Sequence, residues 1–323
     1  LLTLSSAAAI AVPFGSQSVL VVEDDTGKVL LEKNAGAIMP IASLTKLMTA
    51  MVILDAKQDM NELIEIERSD VDMLKHSTSR VPVGASIPRG DVLQLALMSS
   101  DNRAAASLGR TYPGGVPAFK AAVRRKIVAL GMTNTVIEEP TGLSPNNRST
   151  AADLVKMANA ASRYREITDR TTDAKNIINI NGRGVEYHNT NRLVGAKGWD
   201  VGLSKTGYTQ EAGRCLIMSI KAAGKNATMV LLNAGASSAR VLDALNIRRY
   251  ISGEEASNGR VARSTPIRAA SRAVSRSPRF SASAPAIIKA SSGRIVKVKN
   301  GPRAKLQVVP VKKKVVVLRK RRH

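Results

Sequence analysis

The chain has 323 residues, with 49 Lys and Arg against 25 Asp and Glu, a formal net charge of +24 and one cysteine, Cys215. That length supports one large core or two; the lone cysteine excludes an intramolecular disulfide, and the three histidines, His76, His188 and His323, lack metal-ligand spacing. The charge is concentrated, because residues 255–323 hold nineteen Lys and Arg against the single acid Glu255, a net of +18 that leaves residues 1–254 only mildly basic.

In chain order, the apolar, small-residue start Leu1-Leu2-Thr3-Leu4-Ser5-Ser6-Ala7-Ala8-Ala9-Ile10-Ala11 predicts that residues 1–13 are the remnant of an export signal. A buried N-terminal strand or helix is the competing reading, and the run is too short to span a bilayer. Residues 19–22 and 29–31 are apolar strands flanking the turn Asp24-Asp25-Thr26-Gly27, a hairpin. Residues 43–56 predict a helix, with Leu44, Leu47, Met48, Met51, Val52 and Leu54 forming a broad apolar face. Residues 82–165 are alanine-rich with helical spacing, broken at Gly131, Pro140 and Gly142. Residues 203–206, 215–222 and 227–232 predict strands joined by glycine-containing turns, and 241–251 a closing helix. Cys215, in the run Cys215-Leu216-Ile217-Met218, reads as a buried small hydrophobe, and His76 and His188 as surface residues.

Strands at both ends with helices between them predict an α+β fold over residues 14–254, a sheet sandwiched by helices. Beyond it, Ser, Arg, Ala and Pro dominate to about residue 286, a composition that cannot bury a core. Residues 255–323 are therefore expected to be a disordered basic tail, although 295–299 and 308–318 alternate Val with Lys in a strand-like way. Its expected partners are polyanions: wall polymers, anionic lipid head groups or nucleic acid. Phe280 is the tail's only aromatic residue, so base stacking is poorly supported.

Three short motifs occur in order: Ser43-Leu44-Thr45-Lys46, Ser100-Asp101-Asn102 and Lys205-Thr206-Gly207. Each alone is weak; roughly one S-x-x-K arises by chance in a chain of this length at average composition. Their order, spacing and flanks make the set specific to serine acyl-transfer. A serine hydroxyl needs a base to take its proton, and Lys46 lies one helical turn after Ser43. Burial and a second cation, Lys205, both favour the neutral amine that a base requires. Ser100 is placed to relay a proton to the leaving amine, and Asn102 to hold a substrate amide and Lys46 together. Asp101 is expected to point away and cap the helix. Thr206 offers a hydroxyl to a substrate carbonyl or carboxylate, Lys205 adds charge, and Gly207 leaves room for substrate backbone. The backbone N–H groups of Ser43 and Tyr208 are the candidate oxyanion donors. No glycine-rich phosphate loop is present, so no cofactor is implied.

With Glu139-Pro140-Thr141-Gly142-Leu143, Asn147-Arg148-Ser149-Thr150-Ala151, Pro113-Gly114-Gly115, Leu130-Gly131-Met132-Thr133-Asn134-Thr135 and Lys205-Thr206-Gly207-Tyr208-Thr209-Gln210-Glu211-Ala212-Gly213, residues 18–251 resemble the low-molecular-mass penicillin-binding proteins of the D-alanyl-D-alanine carboxypeptidase and endopeptidase kind. The murein DD-endopeptidase branch is the nearest. The resemblance implies an antiparallel sheet plus an all-helical subdomain with the cleft between them. It also implies hydrolysis of D-alanyl cross-links in peptidoglycan through an acyl-enzyme on Ser43, inhibition by β-lactams, and export to the periplasm or cell wall. Trimming of a terminal D-alanine is the alternative. Carboxypeptidase relatives carry an arginine after the last core strand to grip the terminal carboxylate; the corresponding stretch here, Asn233-Ala234-Gly235-Ala236-Ser237, has none, and the next is Arg240. A serine β-lactamase shares the three motifs but needs a glutamate to hold a deacylating water. Glu138 and Glu139 are the candidates in that region, yet the stretch 139–143 follows the peptidase pattern.

Overall fold

A computed structural model describes residues 14–254; the expected signal remnant, residues 1–13, and the basic tail, residues 255–323, lie outside the described residues. Strands β1 (Ser18–Glu23) and β2 (Val29–Lys33) form the first hairpin, and β3 (Met39–Pro40) leads through a 3-10 turn, Ala42–Leu44, into helix α1 (Thr45–Asp55). A small ladder of β4 (Leu63–Glu65) and β5 (Ser86–Pro88) precedes helices α2 (Arg89–Leu97), α3 (Asn102–Arg110) and α4 (Gly115–Ala129). After these come β6 (Arg148–Ser149), which pairs with β3, helices α5 (Ala151–Ala161) and α6 (Arg165–Thr172), and the hairpin of β7 (Lys175–Ile180) and β8 (Arg183–His188). Strands β9 (Asp200–Thr209), β10 (Gly213–Ala222) and β11 (Lys225–Ala234) and helix α7 (Ser237–Ser252) complete the described part.

The main sheet is antiparallel in the order β2-β1-β11-β10-β9. Pairing of β1 with β11, from Ser18 opposite Leu232 to Glu23 opposite Ala227, joins the two ends of the described chain. Both faces of the sheet are covered. Leu20, Val22, Ile217, Val230 and Leu232 face the helical layer, whereas Val19, Val21, Leu216, Met218, Met229 and Leu231 pack under Ala244, Ile247 and Ile251 of α7. Double coverage explains why β1 is a continuous apolar run and not an alternating one. Helix α1 is buried along almost its whole length, from Thr45 to Ile53, with α2 to α6 packed around it. A helix enclosed on all sides can be apolar on all sides, and it takes the Lys46 side chain into the interior with it.

The expected α+β architecture is present, with several differences of detail. The helix read over 43–56 starts as a 3-10 turn and becomes α-helical only at Thr45. The stretch 82–165 is not one helical layer: residues 130–150 are mostly loop, held by internal hydrogen bonds and carrying β6. Helix α7 begins at Ser237, not at 241, because its exposed first turn carries no apolar periodicity. Helix α6 buries little beyond Ile167 and Thr171, and the β4–β5 ladder is only three residues a strand, too little for either to be read from pattern alone. Cys215 is buried, and burial pushes its thiol up to about 11. His76 and His188 are exposed, and Asp101 caps α3 through a hydrogen bond from the Ala104 N–H (2.9 Å).

The start of the described chain is fastened to α7 by one carboxylate. Asp243 accepts hydrogen bonds from the Gly15 N–H (2.9 Å), the Ser16 N–H (2.8 Å) and the Ser16 hydroxyl (2.7 Å). Asp243→Ala leaves buried donors without an acceptor and is expected to cost about 1–3 kcal/mol. Thermal unfolding should show a midpoint lower by several degrees; an unchanged midpoint contradicts the assignment of Asp243 as that clasp.

Candidate active site

Ser43 sits at the centre of the 3-10 turn, and its backbone is gripped from two sides. Ala42 takes a left-handed φ of +46°, a strained conformation for a residue with a side chain. A Cβ on Gly142, itself at φ +85°, would stand 1.9 Å from the Ala42 carbonyl oxygen and 2.8 Å from the Ser43 nitrogen. A Cβ on Gly207 would stand 3.1 Å from each of the Ile41 carbonyl oxygen, the Ala42 Cβ and the Ser43 nitrogen. Gly207 is expected to make room for substrate; the space its missing side chain leaves is also bordered closely by the nucleophile turn. The same contact places the Ser43 nitrogen against the residue that precedes Tyr208, so the two candidate oxyanion donors border one space.

The Lys46 amine is surrounded by three oxygens: Ser43 Oγ at 2.9 Å, Asn102 Oδ1 at 2.7 Å and the Thr141 carbonyl at 2.7 Å. Lys46 is only 1% exposed. Burial is the main cause that lowers its pKa from 10.5 to about 8, while the negative charges of Glu139, Asp101 and Asp72 pull it back upward. A neutral amine here has two N–H groups for Asn102 and Thr141 and a lone pair for the Ser43 hydroxyl, which is the arrangement a base needs. The expectation that Lys205 keeps Lys46 neutral needs correcting. Burial does that work, and the repulsion between the two lysines shows on Lys205 instead. Lys205 is also 1% exposed, and burial, then Lys46 and Arg240, hold its pKa well below the ordinary lysine value.

Lys205 Nζ donates to Ser100 Oγ at 2.8 Å, linking the second and third motifs. Ser100 has a left-handed φ of +61°, the second strained residue of the site. Thr206 Oγ1 donates to Thr190 Oγ1 at 2.6 Å. Ser43, Ser100, Asn102, Thr206, Gly207 and Tyr208 line one cleft of about 760 Å³, with Arg192, Arg214 and Arg240 on its walls. Tyr208 is 55% exposed, and the Arg214 guanidinium stacks on its ring at 3.9 Å from the centroid. The structure thus brings together all eight residues selected from sequence.

Several contributors were not read from the sequence. Glu139 organises the loop behind Lys46: its carboxylate accepts from the Thr141 N–H and hydroxyl, the Gly142 N–H and Asn147 Nδ2, at 2.5–3.0 Å. Asn147, fully buried, ties that loop back to Glu139 and Thr45. The loop presents the Thr141 carbonyl to Lys46 and Gly142 to Ser43. Only the resemblance over 139–143 and 147–151 marked these stretches; the roles of Thr141 and Thr190 had no separate signal.

The sequence profile of the D-alanyl-D-alanine carboxypeptidase family matches residues 5–236. A D-alanyl-D-alanine endopeptidase of Pseudomonas aeruginosa is 43% identical over 238 residues, covering 73% of this chain and 77% of the relative. One of Escherichia coli is 40% identical over 238 residues with the same coverage. Among solved structures, penicillin-binding protein D2 from Listeria monocytogenes, in an ampicillin-bound form, is similar with a TM-score of 0.65 and 27% identity, covering 75% of this chain and 99% of that one.

A base at Lys46 that is charged below about pH 8 and neutral above it predicts a rate that climbs with pH. The rate of Ser43 acylation by a β-lactam should rise through a midpoint near 8, and Lys46→Arg, which cannot lose its proton, should abolish it. A flat profile between pH 6 and 9, approximate limits set by one unit or more either side of that midpoint, contradicts the assignment.

Proposed function

We propose that this chain, which belongs to the D-alanyl-D-alanine carboxypeptidase family, is a serine DD-peptidase that hydrolyses D-alanyl bonds within peptidoglycan cross-links through an acyl-enzyme on Ser43. The observation that carries the reading is the buried Lys46 amine, held at 2.9 Å from Ser43 Oγ by two other acceptors. In the proposed reaction Ser43 Oγ attacks the D-alanyl carbonyl carbon and its proton passes to Lys46. The oxyanion is met by the N–H groups of Ser43 and Tyr208. Ser100, bonded to Lys205, relays that proton from Lys46 to the leaving amine as the peptide bond breaks, which leaves Lys46 neutral again. Water then attacks the ester, Lys46 takes a proton from it and returns that proton to Ser43 Oγ as the acid product leaves. Lys205 and Thr206 hold the substrate beside strand β9.

Neither candidate glutamate supports the β-lactamase reading. Glu139 is occupied by the donors of its own loop, and Glu138 is exposed and bonded to Asn146 Nδ2 at 3.0 Å. A β-lactam is therefore expected to remain on Ser43 as a slow-releasing adduct. The carboxypeptidase alternative gains one observation: Arg240, read as lying past the clamp position, lines the cleft, where its Nη1 donates to the Cys215 carbonyl at 3.0 Å. That bond and 9% exposure leave it less free to grip a terminal carboxylate, and Arg214 is engaged on Tyr208. Both favour the endopeptidase, as does the endopeptidase name of the relatives at 40–43% identity.

The substrate lies outside the cytoplasmic membrane, and we place the enzyme there, in the periplasm or the wall. Among the described residues no helix is long and apolar enough to cross a membrane. For the tail, the net +18 of residues 255–323 supports binding to anionic surfaces.

Incubation with purified cross-linked muropeptide dimers and with uncross-linked pentapeptides, followed by mass spectrometry, separates the readings. Splitting of dimers faster than release of D-alanine is the expected result, lost in Ser43→Ala. Release of D-alanine with dimers left intact assigns the carboxypeptidase; no product from either overturns the function. A chain ending at Gly253 should still be labelled by penicillin at Ser43 but lose salt-sensitive adsorption to anionic vesicles, since screening lengths fall to about 8 Å at physiological ionic strength. Unchanged adsorption contradicts the tail's role.

A further inference from the structure

Asn102 is useful to Lys46 in only one orientation. With Oδ1 toward the amine, Lys46 donates to it and keeps its lone pair for Ser43. With the amide turned over, Nδ2 would donate to that lone pair and the base would be occupied. An amide has no intrinsic preference between the two; a charged Lys46, which has only donors, selects the oxygen by itself, but in the neutral form that acts as the base something beyond Asn102 and Lys46 must select.

We infer that Asp72 and Ser77 are positioning residues that fix the Asn102 amide with its oxygen toward Lys46. Asn102 Nδ2 lies 2.8 Å from Ser77 Oγ. Ser77 in turn stands beside Asp72, whose carboxylate accepts the backbone N–H groups of Leu74 (2.8 Å), Lys75 (2.9 Å) and Ser77 (2.8 Å). The Ser77 side chain also stabilises the charge of that carboxylate. Partial burial pushes the Asp72 acid up, but the hydrogen bonds from Lys75, Ser77 and Leu74 outweigh it and hold the pKa below the ordinary value. Asp72 is thus ionised at neutral pH and can only accept. Because Asn102 Nδ2 donates to Ser77 Oγ, a Ser77 lone pair faces Asn102, and the ionised Asp72, which takes the Ser77 backbone N–H, favours a hydroxyl proton turned to its own side. That lone pair demands the NH2 end of the amide, which turns Oδ1 to Lys46 at 2.7 Å. Polarity runs in one direction from Asp72 through Ser77 and Asn102 to Lys46, and ends on the Ser43 hydroxyl.

The loop that carries Asp72 and Ser77 is fastened independently of this chain of bonds. Lys75 pairs with Glu211 in the turn between β9 and β10, Ser79 Oγ donates to Asp101 Oδ2 at 2.7 Å, and Arg80 Nη2 donates to the Glu186 carbonyl at 2.7 Å. Removing the Ser77 hydroxyl should therefore leave the loop in place.

The inference rests on Lys46 as the base, and the test separates the two. Stopped-flow acylation of the full chain by a chromogenic β-lactam gives the limiting rate k2 and the dissociation constant Kd. Ser77→Ala should lower k2 about tenfold or more, as expected when a reacting group is held less often in its productive geometry. Ser77→Thr, which keeps the hydroxyl, should restore most of the rate. Asp72→Asn, an amide able to offer either end to Ser77, should slow k2 as well. A k2 for Ser77→Ala within about twofold of wild type, small against the roughly hundredfold effect of a misplaced group, overturns the inference, as does a Ser77→Thr rate no better than that of Ser77→Ala. If Ser77→Ala does not fold, Ser77→Cys, whose thiol is only a weak hydrogen-bond partner, takes its place: slow acylation supports the inference and wild-type acylation overturns it. Failure of the wild-type chain to acylate at Ser43 would instead count against the proposed function.

Discussion

The site depends on a lysine amine that water does not reach. A charged ammonium in the interior is costly, and the group answers by giving up its proton more easily. Lys46 pays that desolvation because α1 is enclosed on every side and carries its first turn into the core. Complete neutralisation is prevented by the field of Glu139, Asp101 and Asp72, which leaves the pKa near 8, within reach of neutral pH. A lysine poised there is charged part of the time and basic part of the time, which suits a group that must both accept a proton and return it.

The same enclosure explains the backbone. Ala42 and Ser100 both sit at positive φ, and both are adjacent to or part of the reacting cluster. Such conformations persist only where the surroundings over-determine them. Gly142 approaches the Ser43 turn too closely for any side chain and Gly207 packs tightly against it, and the Glu139–Asn147 network holds the loop that delivers Gly142. The nucleophile is therefore presented by backbone packing from a loop and from the sheet's β9, and the lysine by a helix. Three separate pieces of chain must be correctly folded before Ser43 and Lys46 meet, so activity is a sensitive report of the whole body.

Much of this was legible in the sequence, for definite reasons. Ser43 and Lys46 are three residues apart across the 3-10 entry to α1, so their meeting is a relation that spacing alone encodes. Strands β1, β10 and β11 of the main sheet are apolar on both faces, so they stand out as runs. The Ser100-Asp101-Asn102 cap has a composition that marks a helix start. What stayed hidden acts through backbone or through distance. The Thr141 carbonyl has no side-chain signature, the demand on Gly142 comes from Ala42 a hundred residues away, and Ser77 matters only because Asn102 folds against it. Helix α6 buries little beyond Ile167 and Thr171, so its pattern gave no apolar face to read. Arg240 lies after the clamp stretch by residue count, and the first turn of α7 brings it to the cleft wall, which counting does not show.

The central claim is that burial makes Lys46 a neutral amine within reach of physiological pH. Heteronuclear NMR of the chain with isotope-labelled lysines, assigned by the resonance that disappears in Lys46→Arg, measures that directly. The Lys46 side chain should titrate with a midpoint near 8. A midpoint near the ordinary lysine value of 10.5 would contradict the account and require another base for Ser43.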